Sequence, residues 1–440
     1  MIELPLADAV ETALHALLAD RLSILAGAGL SMAPPSSLPS AATIASLAKA
    51  AYEAKFGPAP FGDDISEQAD HFFRSGELVS LYLRTLVDKD AFAGHPNEGH
   101  YAVADLILIG ALQTACTTNI DTMIETAGQL LYGHVESGVD ANAMALVPAG
   151  VTPLLKIHGC RQFDLATTVW SALQLAGPPI SDRIAGSANW LTHRLANRDL
   201  LIVGYWTDWD YLNQVLASVV GAVAPARVIV VNPADAAMLA AKAPHLMALG
   251  GRATVQFVHV RCLANEFLEP LRLAFSKSFY RQILASGIQE FVDLKGAVPD
   301  PAWLVPPDLS NDAYWQVRRD LEGCPPAKPA KERQPGAGPL MGLTLLQLRA
   351  VGAIPDGATW SLGGRRIRLI RAEGKVLHRV QAAFAREMAP IVASDVIVAV
   401  GAENLGLPPY VPRAGGPATI TRGATSRWLT RLDAVTEFAL

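Results

Sequence analysis

The chain has 440 residues, of which 51% are hydrophobic and 18% charged, and its formal net charge is −5. This composition excludes an intrinsically disordered protein, and the length favours two domains. No apolar run approaches the roughly 18 to 20 residues of a spanning helix, so we expect a cytoplasmic protein without a membrane span. No two of the four cysteines form a Cys-x-x-Cys pair, so we expect neither a zinc ribbon nor a disulfide framework.

Predicted strands and helices alternate over the first 275 residues. In chain order, the patterns predict helix 8–20, strand Leu22–Ala26, helices 41–56, 64–74, 77–87 and 97–110, strand 111–119, helix 120–131, strands 151–159 and 198–206, helix 210–220, strands 226–233 and 254–260, and helix 266–275. Several of the strands are continuous apolar runs, which are typical of strands covered on both faces. The predicted fold class is therefore α/β, with a doubly wound, Rossmann-like parallel sheet.

The remaining residues divide into a proline-rich segment and a mixed region. Residues 296–340 contain nine prolines, a composition typical of a linker, with one short helix predicted within 312–323. The elements predicted beyond it are helix 343–351, strands near 360–364 and 365–372, a helix near 380–389 and strand 395–401. We predict a catalytic domain over 1–295, a linker over 296–340 and a smaller mixed α/β C-terminal domain over 341–440.

The C-terminal region differs from the rest of the chain in charge. Residues 341–440 carry 12 Lys and Arg against 7 Asp and Glu, whereas the preceding part is acidic. This asymmetry suggests an oligomerisation or partner-binding domain, and a solvated surface without a partner is the alternative.

Five polar clusters follow predicted strands. They are residues 27–31, 117–121, 156–159, 204–208 and 230–233. In doubly wound sheets, ligands bind beyond the carboxyl ends of the strands. The clusters are therefore predicted to meet in one crevice.

The first cluster reads Gly27-Ala28-Gly29-Leu30-Ser31. Glycines let the backbone turn sharply and approach a phosphate, which backbone amides bind, and Ser31 adds a hydroxyl donor. The third glycine of a G-x-G-x-x-G motif is absent, because Met32 stands there. A tight turn without a ligand is the alternative interpretation.

Polar side chains in the other clusters suit a bound nucleotide. Asn119 can hold a ribose hydroxyl through its amide. Asp121 is a candidate cofactor-binding residue, and its side chain either orients Asn119 or caps the following helix. His158 suits a general base, because the ordinary pKa of histidine lies near neutrality.

Gly204 and Asn232 end later strands and are candidates to line the adenosine side of a dinucleotide. Asp208 and Asp210 also follow Gly204, and the favoured interpretation is that they cap the following helix.

Together, these clusters resemble the sirtuin family in order and spacing, and over residues 10–290 they are most similar to the sirtuin-like NAD-cleaving effectors of bacterial antiphage systems. Those systems include Thoeris, short-Argonaute and HerA-ATPase-associated systems. The resemblance implies that Asn119 and His158 are the catalytic pair. It also implies that Gly27, Ala28, Gly29 and Ser31 contact the NAD+ phosphates and that Asn232 contacts the adenosine ribose.

Two departures from the family pattern refine this hypothesis. The four zinc cysteines of the deacylases are absent after His158, so neither zinc nor deacylation is expected. The Gly-Ile-Pro or Gly-Leu-Pro element is replaced by Ser37-Leu38-Pro39, which leaves open the shape of the loop over the nicotinamide pocket.

The resemblance implies an NAD+ hydrolase that releases nicotinamide and ADP-ribose as a regulated antiphage effector. It further implies a homo-oligomer with a possible HerA-type ATPase or short-Argonaute partner, nucleic acid being contacted only through that partner. The alternatives are a catalytically silent NAD+ or ADP-ribose sensor and an ADP-ribosyltransferase.

Overall fold

The computed structural model describes residues 2–87, 92–205, 225–250, 255–322, 338–372, 374–384, 392–403 and 426–440. The chain forms two units, Met1–Leu271 and Arg272–Leu440. The domain boundaries expected at residues 295 and 340 stay predictions. Within the described ranges, no helix combines the length and apolar character that crossing a membrane requires.

The first unit contains an eight-stranded sheet in which every neighbouring pair is parallel. Its strands are β1 (Ile2–Glu3), β2 (Leu22–Ala26), β3 (Thr114–Thr117), β4 (Ser137–Gly138), β5 (Leu154–Lys156), β6 (Asp199–Val203), β7 (Arg227–Val231) and β8 (Gln256–Val260). They are ordered β1-β8-β7-β6-β2-β3-β5-β4. The chain thus winds from β2 toward one edge and then returns to β6 on the other side of β2, which confirms the predicted doubly wound class.

Helices accompany these strands. They are α1 (Leu6–Leu18), α2 (Ala41–Phe56), α3 (Ile65–Arg74), a π-helix (Leu78–Leu86), α4 (Glu98–Leu108), α5 (Met123–Leu130), α6 (Ala141–Ala145), α7 (Ile180–Leu195), α8 (Ala236–Lys242), α9 (Pro244–Gly250) and α10 (Ala264–Ser286). The predicted helix at 77–87 is present as the π-helix rather than an α-helix. The predicted helix 210–220 lies outside the described residues.

Four of the five strands that carry the polar clusters are buried along their whole length. Every residue of β2, β3, β5 and β6 is buried. On one face, Ile184 and Leu191 of α7 pack in a common core with Leu155 and Ile202 of the sheet. Because aliphatic residues fill both sides of the strands, polar side chains that follow them are held on a rigid support.

A separate helical core lies under α2, α3 and the π-helix. Phe72 and Tyr82 stack with ring centroids 5.0 Å apart, and the Tyr82 hydroxyl donates to Gln68 Oε1 at 3.0 Å. The hydrogen bond satisfies a buried phenol whose burial would otherwise be costly.

The second unit is built on a five-stranded sheet in the order β13-β12-β11-β10-β9. Its strands are β9 (Ile354–Asp356), β10 (Thr359–Leu362), β11 (Arg365–Arg371), β12 (Val396–Val400) and β13 (Arg427–Thr430). The helices of this unit beyond α10 are α11 (Ile288–Lys295), α12 (Asn311–Glu322), α13 (Pro339–Ala350), α14 (Leu377–Phe384) and α15 (Arg431–Phe438). The sheet is parallel from β11 to β13 and antiparallel from β9 to β11, which confirms the predicted smaller mixed α/β region.

Candidate functional site

Strand register aligns the ends of the five strands that precede the polar clusters at one edge of the large sheet. Ala26 is paired with Thr117 on one side and Val203 on the other, and these residues pair in turn with Lys156 and Val231. The carboxyl ends of the five strands are therefore aligned, and the segments that follow them begin at the same level. This is the geometry that the sequence predicted.

The glycines of the first cluster pack against the end of β6. A Cβ atom on Gly27 would lie 2.7 Å from the Gly204 oxygen, and one on Gly29 would lie 2.8 Å from the same atom. The Gly27 amide donates to Val203 O at 2.9 Å and the Gly29 amide donates to Gly204 O at 2.7 Å. Close packing thus explains both glycines, while contact of Gly27, Ala28 and Gly29 with phosphate stays a prediction.

Gly204, which follows β6, packs against the turn of residues 27–31. Its φ of +59° lies in the left-handed region, and a Cβ there would lie 2.3 Å from the Leu30 nitrogen. Only glycine meets both conditions without strain. A direct contact between Gly204 and a dinucleotide stays a prediction.

Ser31 is the centre of a buried hydrogen-bond network. Its hydroxyl donates to Asp121 Oδ2 at 2.9 Å, and it accepts from Asn119 Nδ2 at 3.1 Å. His100 Nε2 lies 3.1 Å from the same oxygen. The hydroxyl can donate once and accept twice, so this arrangement uses its full capacity. Side chains from three segments, separated by up to 90 residues, are thereby fixed relative to one another.

His100 enters this network through the start of α4. Asn97 and His100 form a capping box, in which the backbone amide of Asn97 donates to His100 Nδ1 at 3.2 Å. Because Nδ1 accepts, the proton of the neutral ring is on Nε2 and is donated to Ser31. Burial lowers the pKa of His100 to about 4, against the opposing effect of the Asp121 charge. The ring is therefore a neutral donor at physiological pH.

Asp121 performs both functions that the sequence left open. Its Oδ2 atom holds Ser31 and thus indirectly orients Asn119, while its Oδ1 atom accepts from the Met123 amide at 3.0 Å at the start of α5. Its side chain is bonded within the fold on both oxygens. A direct contact of Asp121 with cofactor stays a prediction.

Asn119 carries one unpaired buried acceptor at the carboxyl edge. The residue is 7% exposed, its amide nitrogen is held by Ser31, and its Oδ1 atom is buried without a partner among the described residues. A buried acceptor left unpaired costs about 1–3 kcal/mol. The side chain is thus oriented so that a ligand hydroxyl or water can satisfy Oδ1.

His158 lies beside the backbone that leads into Asn119. Its Nδ1 atom is 3.1 Å from the Thr118 oxygen. Since a carbonyl only accepts, Nδ1 carries the proton and Nε2 carries the lone pair. Burial lowers the pKa of His158 to about 3, outweighing the bond to Thr118, and the charge of Arg183 adds to the lowering. The imidazole is therefore neutral and able to accept a proton at Nε2.

Lys156 is a buried cation that the sequence analysis did not assign. Its side chain is 1% exposed, its Nζ atom donates to the Asp121 carbonyl, and it lies 3.0 Å from Glu125 Oε1. The ion pair offsets the cost of burying the charge. Lys156 thereby fixes the backbone of the segment that carries Asn119.

Both polar atoms of the Asn232 side chain are hydrogen-bonded within the fold. It is 1% exposed, its Nδ2 atom donates to the Tyr205 carbonyl at 3.3 Å, and its Oδ1 atom accepts from the Ala234 amide at 2.8 Å. The side chain thus links the ends of β6 and β7. Contact of Asn232 with an adenosine ribose stays a prediction. The candidate capping residues Asp208 and Asp210 lie outside the described residues.

Metal ligands do not converge in the part of the chain that the structure describes. No group of three or more His, Cys, Asp or Glu side chains there is placed to hold a metal ion.

Replacing Ser31 with alanine should destabilise the first unit, because it leaves the donors of His100 and Asn119 and the acceptor of Asp121 without their shared partner. We expect the free energy of unfolding to fall by about 1–3 kcal/mol. Urea unfolding of the full chain measures the change. The control is Ser80→Ala, at an exposed serine, and equal losses in both variants would contradict the assigned network.

The two buried histidines should make the fold sensitive to acid. In the unfolded chain they titrate near pH 6.5, whereas the folded pKa values are about 4 for His100 and about 3 for His158. The unfolded state therefore binds more protons below pH 6.5. Each histidine should then lower the free energy of unfolding by about 1.4 kcal/mol per pH unit as the pH falls toward its folded pKa.

His100→Gln should reduce this acid slope, as measured by urea unfolding between about pH 6 and pH 4.5. The matched control is His134→Gln, because the His134 side chain is 79% exposed. An acid slope unchanged in the His100 variant would show that the ring is not buried as a neutral group.

Part of this chain is similar to a known protein family. Residues 113–246 match the family model of the SIR2-like domain. The matched segment carries Asn119, His158, Gly204 and Asn232. It therefore supports a sirtuin-like character for this part of the chain. No curated protein matches the chain.

Several solved structures are similar to this chain. A complex of a Sir2 homologue with NAD has 16% identity and a TM-score of 0.36, covering 59% of this chain and 91% of that one. A mutant Sir2 homologue with 2′-O-acetyl-ADP-ribose has 17% identity and a TM-score of 0.33, covering 59% and 94%. A complex of Sir2 with a p53 peptide and NAD+ has 13% identity and a TM-score of 0.35, covering 59% and 95%.

Proposed function

We propose that this chain is an NAD+ hydrolase that cleaves the bond between nicotinamide and ribose. The observation that carries the proposal is the fixed carboxamide of Asn119, whose Oδ1 atom is buried at the carboxyl edge of the sheet and has no partner among the described residues. Support also comes from the position of His158, which is bonded to the preceding residue Thr118. The SIR2-like domain match over the same segment supports NAD+ as the substrate.

The chemistry of the substrate requires little from the protein. Nicotinamide is cationic while attached to ribose and leaves as a neutral molecule with the electron pair of the C–N bond. The transition state resembles an oxocarbenium ion, as in other glycoside cleavages. A site that orients the ribose, supplies a water molecule and accepts one proton is sufficient.

Asn119 positions a reactant, and His158 accepts the proton. Asn119 Oδ1 accepts a hydrogen bond from a ribose hydroxyl or from the attacking water and so fixes its position. The oxygen of water bonds to the ribose carbon as the nicotinamide leaves, and His158 Nε2 accepts the proton that water releases. The low pKa of His158 makes it a weak base, which suffices because the dissociative transition state develops little negative charge on the nucleophile.

Ser31, His100 and Asp121 act through Asn119 in this proposal. The hydroxyl of Ser31 holds Asn119 Nδ2, so the amide cannot flip and Oδ1 faces the ligand. His100 and Asp121 fix that hydroxyl from two other directions. Pre-organisation of this kind lowers the reorganisation needed during the reaction.

Cleavage is tested by incubating the purified full chain with NAD+ and quantifying nicotinamide by chromatography. We expect nicotinamide to accumulate with time and in proportion to protein. Bound NAD+ that stays intact over hours would instead indicate the alternative of a silent sensor.

We further propose, from the resemblance to sirtuin-like defence effectors, that the hydrolase depletes NAD+ during phage infection. Loss of NAD+ is lethal, so the activity must be controlled, and the second unit is the proposed site of oligomerisation or of contact with an ATPase or Argonaute partner. A strain carrying the Asn119→Ala chain should lose protection against phage if this role is correct.

A further inference from the structure

Arg183 lies at the carboxyl edge of the sheet without belonging to the network around Ser31. It is in the first turn of α7, which connects β5 to β6. Because these strands are parallel, the connecting helix begins at the carboxyl edge and runs back across the sheet. The first turn of α7 is thus on the same edge as Asn119 and His158.

One nitrogen of the Arg183 guanidinium is anchored in the loop that follows His158. Nη1 donates to Thr167 Oγ1 at 2.7 Å and to Asp164 Oδ2 at 3.2 Å. The same loop packs on the His158-Gly159 turn, since a Cβ on Gly159 would lie 3.4 Å from the Thr167 oxygen. These contacts place the guanidinium beside the proposed catalytic histidine.

The other edge of the guanidinium carries unpaired donors. The Nε and Nη2 atoms of Arg183 are buried, and neither has an acceptor among the described residues, although the side chain is only 10% exposed. Burial lowers the pKa of Arg183 despite the opposing effect of Asp164. Buried donors on a cation are costly when unpaired, so this edge favours a bound anion.

The geometry of that edge specifies the kind of anion. Nε and Nη2 are parallel donors whose spacing matches two oxygens of one phosphate or carboxylate. The amides of Gly27 and Gly29 already donate to backbone carbonyls, so the turn that they form has fewer donors to offer a phosphate. A cationic side chain at this edge would add donors suited to a diphosphate.

We propose that Arg183 binds a phosphate oxyanion through its Nε–Nη2 edge and that this phosphate belongs to the diphosphate of the dinucleotide. The inference rests on the proposed function for the identity of the ligand. It assigns to Arg183 the binding of the diphosphate and not the cleavage step.

The test is calorimetric titration of the full chain with ADP-ribose, which retains the diphosphate and lacks nicotinamide. Arg183→Gln removes the charge and Arg183→Lys keeps a charge but loses the paired donors, so both should weaken ADP-ribose binding by about tenfold or more. The control is Arg194→Gln on the same helix, whose guanidinium lies 5.0 Å from the Trp190 ring centroid. It should bind ADP-ribose as the unmodified chain does.

Unchanged ADP-ribose affinity in both Arg183 variants, or no binding by the unmodified chain, would overturn the inference. A parallel titration with inorganic pyrophosphate separates the two sources of phosphate. If only pyrophosphate binding depends on Arg183, the assignment to the dinucleotide is wrong. Thermal melting of Arg183→Lys shows whether the fold is retained.

Failure of the proposed hydrolase function can be distinguished from failure of the Arg183 proposal, because ADP-ribose binding does not require cleavage. A chain that binds ADP-ribose through Arg183 yet leaves NAD+ intact would retain the Arg183 site and lose the hydrolase assignment.

Discussion

Replacing Asn119 with alanine should lower the kcat of nicotinamide release by about 100- to 1000-fold, a loss comparable to the removal of one pre-organised polar group from an active site. The alanine lacks the unpaired Oδ1 atom, while the backbone is still fixed by the bond from the backbone amide of residue 119 to Thr117 Oγ1 at 3.0 Å. Initial rates at saturating NAD+ measure the effect.

The control for this variant is Asn142→Ala, because Asn142 is exposed on α6. It should cleave NAD+ at the unmodified rate. If Asn119→Ala retains full activity with its fold intact, Asn119 does not position the ribose or the water, and the proposed mechanism is wrong.

Replacing His158 with alanine should reduce the cleavage rate by about 100- to 10,000-fold, the range for loss of a general base. The unmodified chain should also show a rate that stays level from about pH 8 down to about pH 5, because a base with a pKa of about 3 remains unprotonated there. A histidine with the ordinary pKa near 6.5 would lose about tenfold in rate per pH unit below that value.

His134→Ala is the control for this prediction, since its side chain is 79% exposed. A pH profile that falls below about pH 6.5 would show that the imidazole titrates normally and is not the buried neutral ring described above. Undiminished activity of His158→Ala would remove the histidine from the mechanism.

The fold and the position of the site were predictable from the sequence for one physical reason. Continuous apolar strands imply a parallel sheet, and a parallel sheet collects the segments after its strands at one edge. The pairing of Ala26 with both Thr117 and Val203 confirms that inference. It holds regardless of the exact limits of each strand.

The internal contacts of the site were harder to predict. His100 reaches Ser31 across 69 positions, and no pattern in the sequence analysis indicated its position, because its capping box with Asn97 is a feature of the folded structure. Lys156 had a clearer signal, because a lysine within a buried apolar strand requires a partner. The glycines were interpreted as phosphate contacts, whereas their packing against Gly204 depends on a strand almost 180 residues away.

The segment between His158 and β6 yielded no predicted element. In α7, Gly186 and Ser187 lie near the middle of the helix and lower its intrinsic propensity. Packing of Ile184 and Leu191 in the sheet core stabilises it instead. Arg183 was therefore missed, because its importance follows from the position of a helix that tertiary contacts create.

The most direct test of the proposed hydrolysis is the fate of the ADP-ribose group. NAD+ labelled in its adenylate half is incubated with the full chain, and the label is followed in free ADP-ribose, in intact NAD+ and on macromolecules. Hydrolysis predicts free ADP-ribose in an amount equal to the nicotinamide released, with none formed by Asn119→Ala. Label that remains in intact NAD+, or that appears on protein or nucleic acid in place of free ADP-ribose, would contradict the assignment.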